Sequence, residues 1–186
     1  MSAVPLSEVL ISEQLLRRPE RPILSTFTNA VMVELHRLLT EAPAQFLEEA
    51  ARAAKILPGT QSGGLSLVGD DGTCVTRALD GRWSKHRDSA ALLDRILCPL
   101  ALERKTLLLL SRPQRCFAEL EAVYPLIEEA LLAPFFHDGR PAGVVWAVFH
   151  NSQLQFDIHD GYMLQDLARM VVGARTLLVQ GGHWPR

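Results

Sequence analysis

The side chains with the most chemical scope in this sequence are three cysteines, six histidines and several arginines that fall close to aromatic residues. Cys74, Cys98 and Cys116 are odd in number and widely separated. They form no CxxC pair and have no histidine at zinc-ligand spacing, so free buried thiols are expected rather than a disulfide framework or a structural metal. The histidines are dispersed. None stands in the HExxH or Gly-x-Ser-x-Gly context that marks a metalloprotease helix or a serine nucleophile. His36 falls among charged helical residues, and His137 and His150 fall in or beside a hairpin, so surface or turn roles are expected for all three. His86 belongs to the run Trp83-Ser84-Lys85-His86-Arg87, which could line a polar pocket but reads first as a solvated loop.

Such residues need a scaffold, and the composition provides one. Of the 186 residues, 48% are hydrophobic and 22% charged, enough for one packed domain with helical extensions. A net charge of -2 offers no cationic field to a phosphate polymer, so no nucleic-acid partner is expected. No apolar run approaches the roughly 20 residues that span a bilayer, and Met1–Glu8 lacks the pattern of a signal peptide. The chain therefore reads as cytoplasmic, with no membrane partner.

Along the chain, the prolines of Arg17-Arg18-Pro19-Glu20-Arg21-Pro22 stop a short amphipathic stretch, Leu6–Leu16. Thr26 or Thr28 then caps a helix with Val31, Leu35 and Leu38 on one face, ending near Ala42-Pro43. A second helix fits Ala44–Leu57. Gly63–Val68 and Cys74–Leu79 flank Asp70-Asp71-Gly72 as a hairpin. Trp83–Arg104 is mostly helical with a break at Pro99, and Lys105–Leu110 reads as a buried strand. Strands Ala130–Phe136 and Ala142–His150 meet at Asp138-Gly139, which supply the positive φ of a tight turn. Asp157 caps the last helix, whose residues Leu164, Leu167, Val171, Ala174 and Leu178 form one apolar stripe and Met163, Met170 and Leu177 a second. This order predicts an α+β domain on an antiparallel sheet, with 1–24 as an N-terminal extension, 25–180 as the domain and 181–186 as a tail.

Four segments in this order resemble the GAF family, the ligand-sensing domains of many bacterial signalling proteins. They are Ser62–Leu67, Cys98–Arg104 with Leu110–Arg115, Ala130–Gly143, and Phe156-Asp157 with Asp160. They are most similar to amino-terminal GAF domains that precede histidine kinase modules in proteobacteria, over about Val31–Leu178. The resemblance implies a central antiparallel sheet with terminal helices packed on one face and a ligand cavity on the other. It also implies a non-catalytic sensor that binds a small molecule or a partner, works as a homodimer through its terminal helices, and serves a histidine kinase or another signalling partner. Nothing after Gln180 provides an output module. By the family's geometry Arg77, Trp83, Ser111, Arg112, Cys116, Phe117 and Trp146 surround the cavity, whose aromatic walls and guanidinium groups suit a flat or anionic ligand. The plainer reading makes Trp146 and Phe117 core and Arg112 a solvated residue. The family's cyclic-nucleotide signature and its pigment-attaching Cys-His are both absent, so the cofactor is unspecified. Two alternatives stand beside the sensor: a structural dimerisation or docking module with a filled cavity, and a redox enzyme like the GAF-fold reductase of free methionine sulfoxide, whose cysteine motif Cys74, Cys98 and Cys116 do not match.

Overall fold

Strand residues alternate between two buried faces, and that alternation organises the domain. In the computed structural model, which describes residues 4–22 and 25–185, five strands form one antiparallel sheet in the order β2-β1-β5-β4-β3. They are β1 (Ser62–Val68), β2 (Cys74–Gly81), β3 (Leu108–Ser111), β4 (Glu129–His137) and β5 (Arg140–Phe149). The helices are α1 (Leu6–Val9), α2 (Ser25–Glu41), α3 (Phe46–Ile56), α4 (Arg87–Arg104) and α5 (Ile158–Gln180). On the first face Leu65, Leu67, Leu109, Leu131, Val145 and Phe149 pack against α3 and α5, with α2 laid over them. On the second face Leu79, Leu108, Leu110, Leu132, Trp146 and Val148 pack against α4. The α+β architecture is the one expected.

Tertiary contacts decide where local signals fall short. Pro99 does not break α4, although proline inside a helix costs roughly 3 kcal/mol. Leu97, Cys98 and Ala101 around it are fully buried on the second face, and that burial holds the helix straight through to Arg104. Lys105 does not begin a strand. It ends α4 in the left-handed conformation (φ 55), its N–H on the Ala101 carbonyl, and β3 starts at Leu108. Thr26 and Thr28 lie inside α2, where Thr28 Oγ1 sits 3.8 Å from Met163 Sδ; the cap of α2 lies outside the described residues.

The Arg-Pro run before α2 does more than stop a helix. Arg18 makes a two-pronged contact with Glu129, at 2.7 and 2.9 Å, and donates to the Phe156 carbonyl at 2.8 Å. Arg21 donates its backbone N–H to Asp157 at 2.8 Å and pairs with Asp160. Asp157 caps α5 as expected, and Asp160 completes a reciprocal capping box by accepting the Asp157 N–H. Residues 4–22 are thus sewn to the sheet edge and to the start of α5, with Val9 and Leu15 buried and Leu10 bridged to Leu110.

Asp138 (φ 51) and Gly139 (φ 75) form the two-residue turn between β4 and β5. A side chain at Gly139 would meet nothing within 4 Å, so backbone conformation alone decides what residue fits. Gly139→Val should destabilise the domain by about 1 kcal/mol or more, as read from urea unfolding. An unchanged midpoint would contradict this account of the turn.

Candidate functional site

The second face is shaped by small residues on β1. Ser62, Gly64 and Ser66 point toward α4, and the space they leave is taken by two indoles. Trp146 lies across Gly64, where an added Cβ would come within 2.2 Å of its ring, and its Nε1–H donates to Ser66 Oγ at 2.9 Å. Trp83 packs against it at 5.7 Å between ring centroids, fixed by its backbone N–H to Ser62 Oγ and its Nε1–H to the Pro125 carbonyl, both at 3.1 Å. Both rings are fully buried.

Beneath the indoles lies a buried polar cluster. Asp94 of α4, 5% exposed, accepts from Ser66 Oγ and, at 2.6 Å, from the backbone N–H of Thr76. The buried Cys98 thiol lies 3.7 Å from Asp94 and interacts with half-buried Cys74 on β2. Burial raises the Asp94 carboxyl above its usual range, although the hydrogen bonds it accepts pull the other way. Burial likewise drives the Cys98 thiol well up, reinforced by Cys74 and Asp94, whereas the hydrogen bond from Cys98 lowers Cys74. The result is a half-buried thiol shifted toward acidity and a buried thiol shifted away from it. This is the asymmetry that thiol–disulfide chemistry uses, with one sulfur attacking and the other resolving.

No protein-family model and no curated protein matches this sequence. Solved structures do. The chain is similar to the free methionine-R-sulfoxide reductase of Neisseria meningitidis, with 17% identity, a TM-score of 0.63, and coverage of 88% of this chain and 97% of that one. It is similar to the GAF domain of an Acinetobacter phosphoenolpyruvate-protein phosphotransferase, with 11% identity, a TM-score of 0.62, and 85% and 98% coverage. It is also similar to a GAF domain assigned to a sensor histidine kinase of Pseudomonas syringae pv. tomato, with 19% identity, a TM-score of 0.59, and 83% and 91% coverage. The chain has the GAF fold. The expectation of a non-catalytic chain is corrected by the same comparison, because the GAF fold here is matched as well by a reductase as by signalling domains. Among the described residues no helix is long and apolar enough to cross a membrane.

The GAF resemblance placed seven residues around one cavity, and the structure distributes them across the sheet. Trp83 and Trp146 come together at its centre as packed core. Arg77 is the extra residue of a bulge in β2, at one sheet edge. Ser111 ends β3 and Arg112, Cys116 and Phe117 follow it at the opposite edge, four strand spacings or roughly 19 Å away. Arg112 is exposed and paired with Glu128 at 2.7 Å, while Cys116 and Phe117 pack half-buried on the second core cluster. The expected cavity face is thus filled at its centre by indole and leucine side chains.

His150, expected at the surface, is half-buried. Its Nδ1 meets the Leu126 carbonyl at 2.9 Å and its Nε2 meets Ser62 Oγ at 2.8 Å, which assigns the proton to Nδ1; burial lowers its pKa. The Asp94 cluster was missed, yet it left a trace: Asp94 interrupts the apolar stripe Ala90, Leu93, Leu97, Cys98 and Ala101. Asp94→Ala strands the Thr76 N–H and removes the acceptor of the Ser66 hydroxyl, and should cost roughly 2 kcal/mol or more. Because burial holds the folded carboxyl above its usual range, the folded state keeps a proton that the unfolded chain has lost. The stability this gives is complete below the unfolded pKa and fades as pH rises through the folded one. The wild-type advantage over Asp94→Ala in urea should therefore shrink as pH rises above the ordinary carboxylate range of about 4. A constant or growing advantage would show that Asp94 is not held protonated.

Proposed function

We propose that this chain is a cytoplasmic sensory domain of a signalling system, that it binds a small effector, and that it works as a homodimer whose terminal helices α2 and α5 carry the response to a signalling partner. One observation supports this most: among its described side chains α2 buries only Leu35 and Leu38, leaving Phe27 (45% exposed) and Val33 (67%) in water, while α5 leaves Leu177 (53%) and Val179 (48%) exposed. The two helices begin side by side, Thr28 against Met163, and so present their spare apolar surface on the same layer. Within the second stripe of α5, Met163 and Met170 are half-covered and Leu177 is open. A second copy presenting the same surface would cover it through a symmetric contact. The three free thiols suit a reducing compartment.

A second reading is the reduction of a sulfoxide such as free methionine-R-sulfoxide, and the Cys74–Cys98 pair favours it. In that chemistry Cys74 would take the sulfoxide oxygen to become a sulfenic acid and release the thioether. Cys98 would then condense with it to a disulfide, releasing water, and a dithiol reductant would restore both thiols.

Sedimentation tests the first reading. The wild type should be a dimer at micromolar concentration, and Val33→Glu with Leu177→Glu, both at exposed positions, should yield a folded monomer. A wild-type monomer would remove the dimeric mechanism. A thioredoxin-coupled assay with free methionine-R-sulfoxide tests the second, for which turnover must be present in the wild type and lost in Cys74→Ser.

A further inference from the structure

A cavity of about 560 Å³ opens at the end of the sheet where β1 begins and β2 finishes, away from the thiol cluster and from the outer faces of α2 and α5. Its lining includes Lys55, Gln61, Arg82, Lys85, His86 and Tyr124, and none of its lining residues is acidic. Two carboxylates lie near it in sequence: Asp80, which is engaged by Lys55, and Asp88 in the first turn of α4. Arg82 and Lys85, both exposed, have no ion-pair partner among the described residues. Two cations held without a counter-ion on a chain of net charge -2 are the kind of feature that recognises an anion.

The walls are rigidly built. Gly81, at φ 99, lies so close to Gln61 that an added Cβ would stand 2.1 Å from the Gln61 carbonyl oxygen, and that oxygen accepts the Arg82 N–H at 2.8 Å. Gln61 Oε1 accepts the His150 N–H at 2.8 Å. The buried Thr60 binds the Lys55 carbonyl through both its N–H, at 2.9 Å, and its hydroxyl, at 3.1 Å. On the opposite wall Ser89 Oγ accepts the Tyr124 N–H and donates to the Tyr124 carbonyl, each at 3.0 Å. Tyr124 is therefore fixed at its backbone while its ring stands 68% exposed, edge-on to His86 at 5.2 Å between centroids. A large aromatic ring held open to water beside unpaired cations offers an apolar plate next to an anion site.

We propose that this cavity binds a small organic phosphate, its phosphate held by Arg82 and Lys85 and its ring or apolar body laid against Tyr124. Arginine contributes a planar pair of N–H donors to two phosphate oxygens, and lysine a compact charge. The inference does not depend on the dimer or on the thiols, so it can fail or hold independently of either reading above.

Titration calorimetry of the full chain tests it with inorganic phosphate, phenyl phosphate and phenol as probes. Phenyl phosphate should bind saturably and at least fivefold more tightly than inorganic phosphate, and phenol should not bind. Arg82→Glu with Lys85→Glu should weaken phenyl phosphate at least tenfold. Tyr124→Ala should abolish the preference for the phenyl ester while leaving inorganic phosphate unchanged. Arg112→Glu with Arg169→Glu, an equal charge change on exposed arginines elsewhere, should leave binding as in the wild type. Absence of saturable phenyl phosphate binding at millimolar concentration would overturn the proposal, as would equal weakening by the two double variants. Far-UV circular dichroism keeps the comparison fair, since all the substituted side chains are exposed.

Discussion

Glu129 is the residue around which the first face is assembled. Its carboxylate is 3% exposed at the start of β4, and an ionised carboxylate buried without a partner would cost several kcal/mol. Arg18 answers it with two donors, and the backbone N–H of Phe156 adds a third at 3.1 Å. Three stretches of chain distant in sequence must therefore meet at one point: the N-terminal segment, the head of β4 and the approach to α5. Phe156, held there, packs on Phe149 of β5 at 4.5 Å between ring centroids, and the helix that follows is aimed across the sheet from that contact. Removing only one member of such a pair strands the other, so the energetic weight lies in keeping the set complete rather than in the attraction itself.

The two faces of the sheet solve the same packing problem with opposite materials. On the first, leucine, valine and phenylalanine side chains meet alanine-rich α3, whose Ala50, Ala51, Ala53 and Ala54 allow close approach. On the second, the small residues are on the sheet, at Ser62, Gly64 and Ser66, and the bulk comes from Trp83 and Trp146. Indoles that fill a face leave little room at its centre for a ligand. Concave space with spare charge is found instead at the sheet end, where β1, β2 and the Tyr124 segment meet.

What was legible in the sequence was local. The Asp138-Gly139 turn, the Asp157 cap and the apolar stripe of α3 each depend on residues within a few positions of one another, and the structure holds all three. Pro99 was misread because the burial of Leu97 and Ala101, which outweighs its cost, comes from strands elsewhere in the chain. Arg18 and Arg21 flank two prolines whose helix-stopping role is all the sequence shows, and only the folded chain brings Glu129 and Asp157 to them. The seven cavity residues were transferred by analogy of element order, which fixes the strand that carries a residue but not whether a neighbouring indole fills the space beside it. His86 shows the reverse: a run read as solvated loop becomes part of a wall once Tyr124 is folded against it.

The thiol cluster and the sheet-end cavity lie toward opposite ends of β2 but are joined by continuous contact. Tyr124 is followed by Pro125, whose carbonyl accepts the Trp83 indole N–H; Trp83 lies against Trp146, and Trp146 donates to Ser66, which donates to Asp94 beside Cys98. From Trp83 to Cys98 the links run through a core that resists continuous deformation. Contact alone does not make a route for a signal, since coupling requires an element with two discrete arrangements that both ends bias. The indole pair lacks the room for that, because Gly64 and Ser66 accommodate Trp146 closely. The segment between α4 and β4 is better placed, being hydrogen-bonded to Ser89 at Tyr124 and to Trp83 at Pro125 while Tyr124 and Leu126 stay exposed.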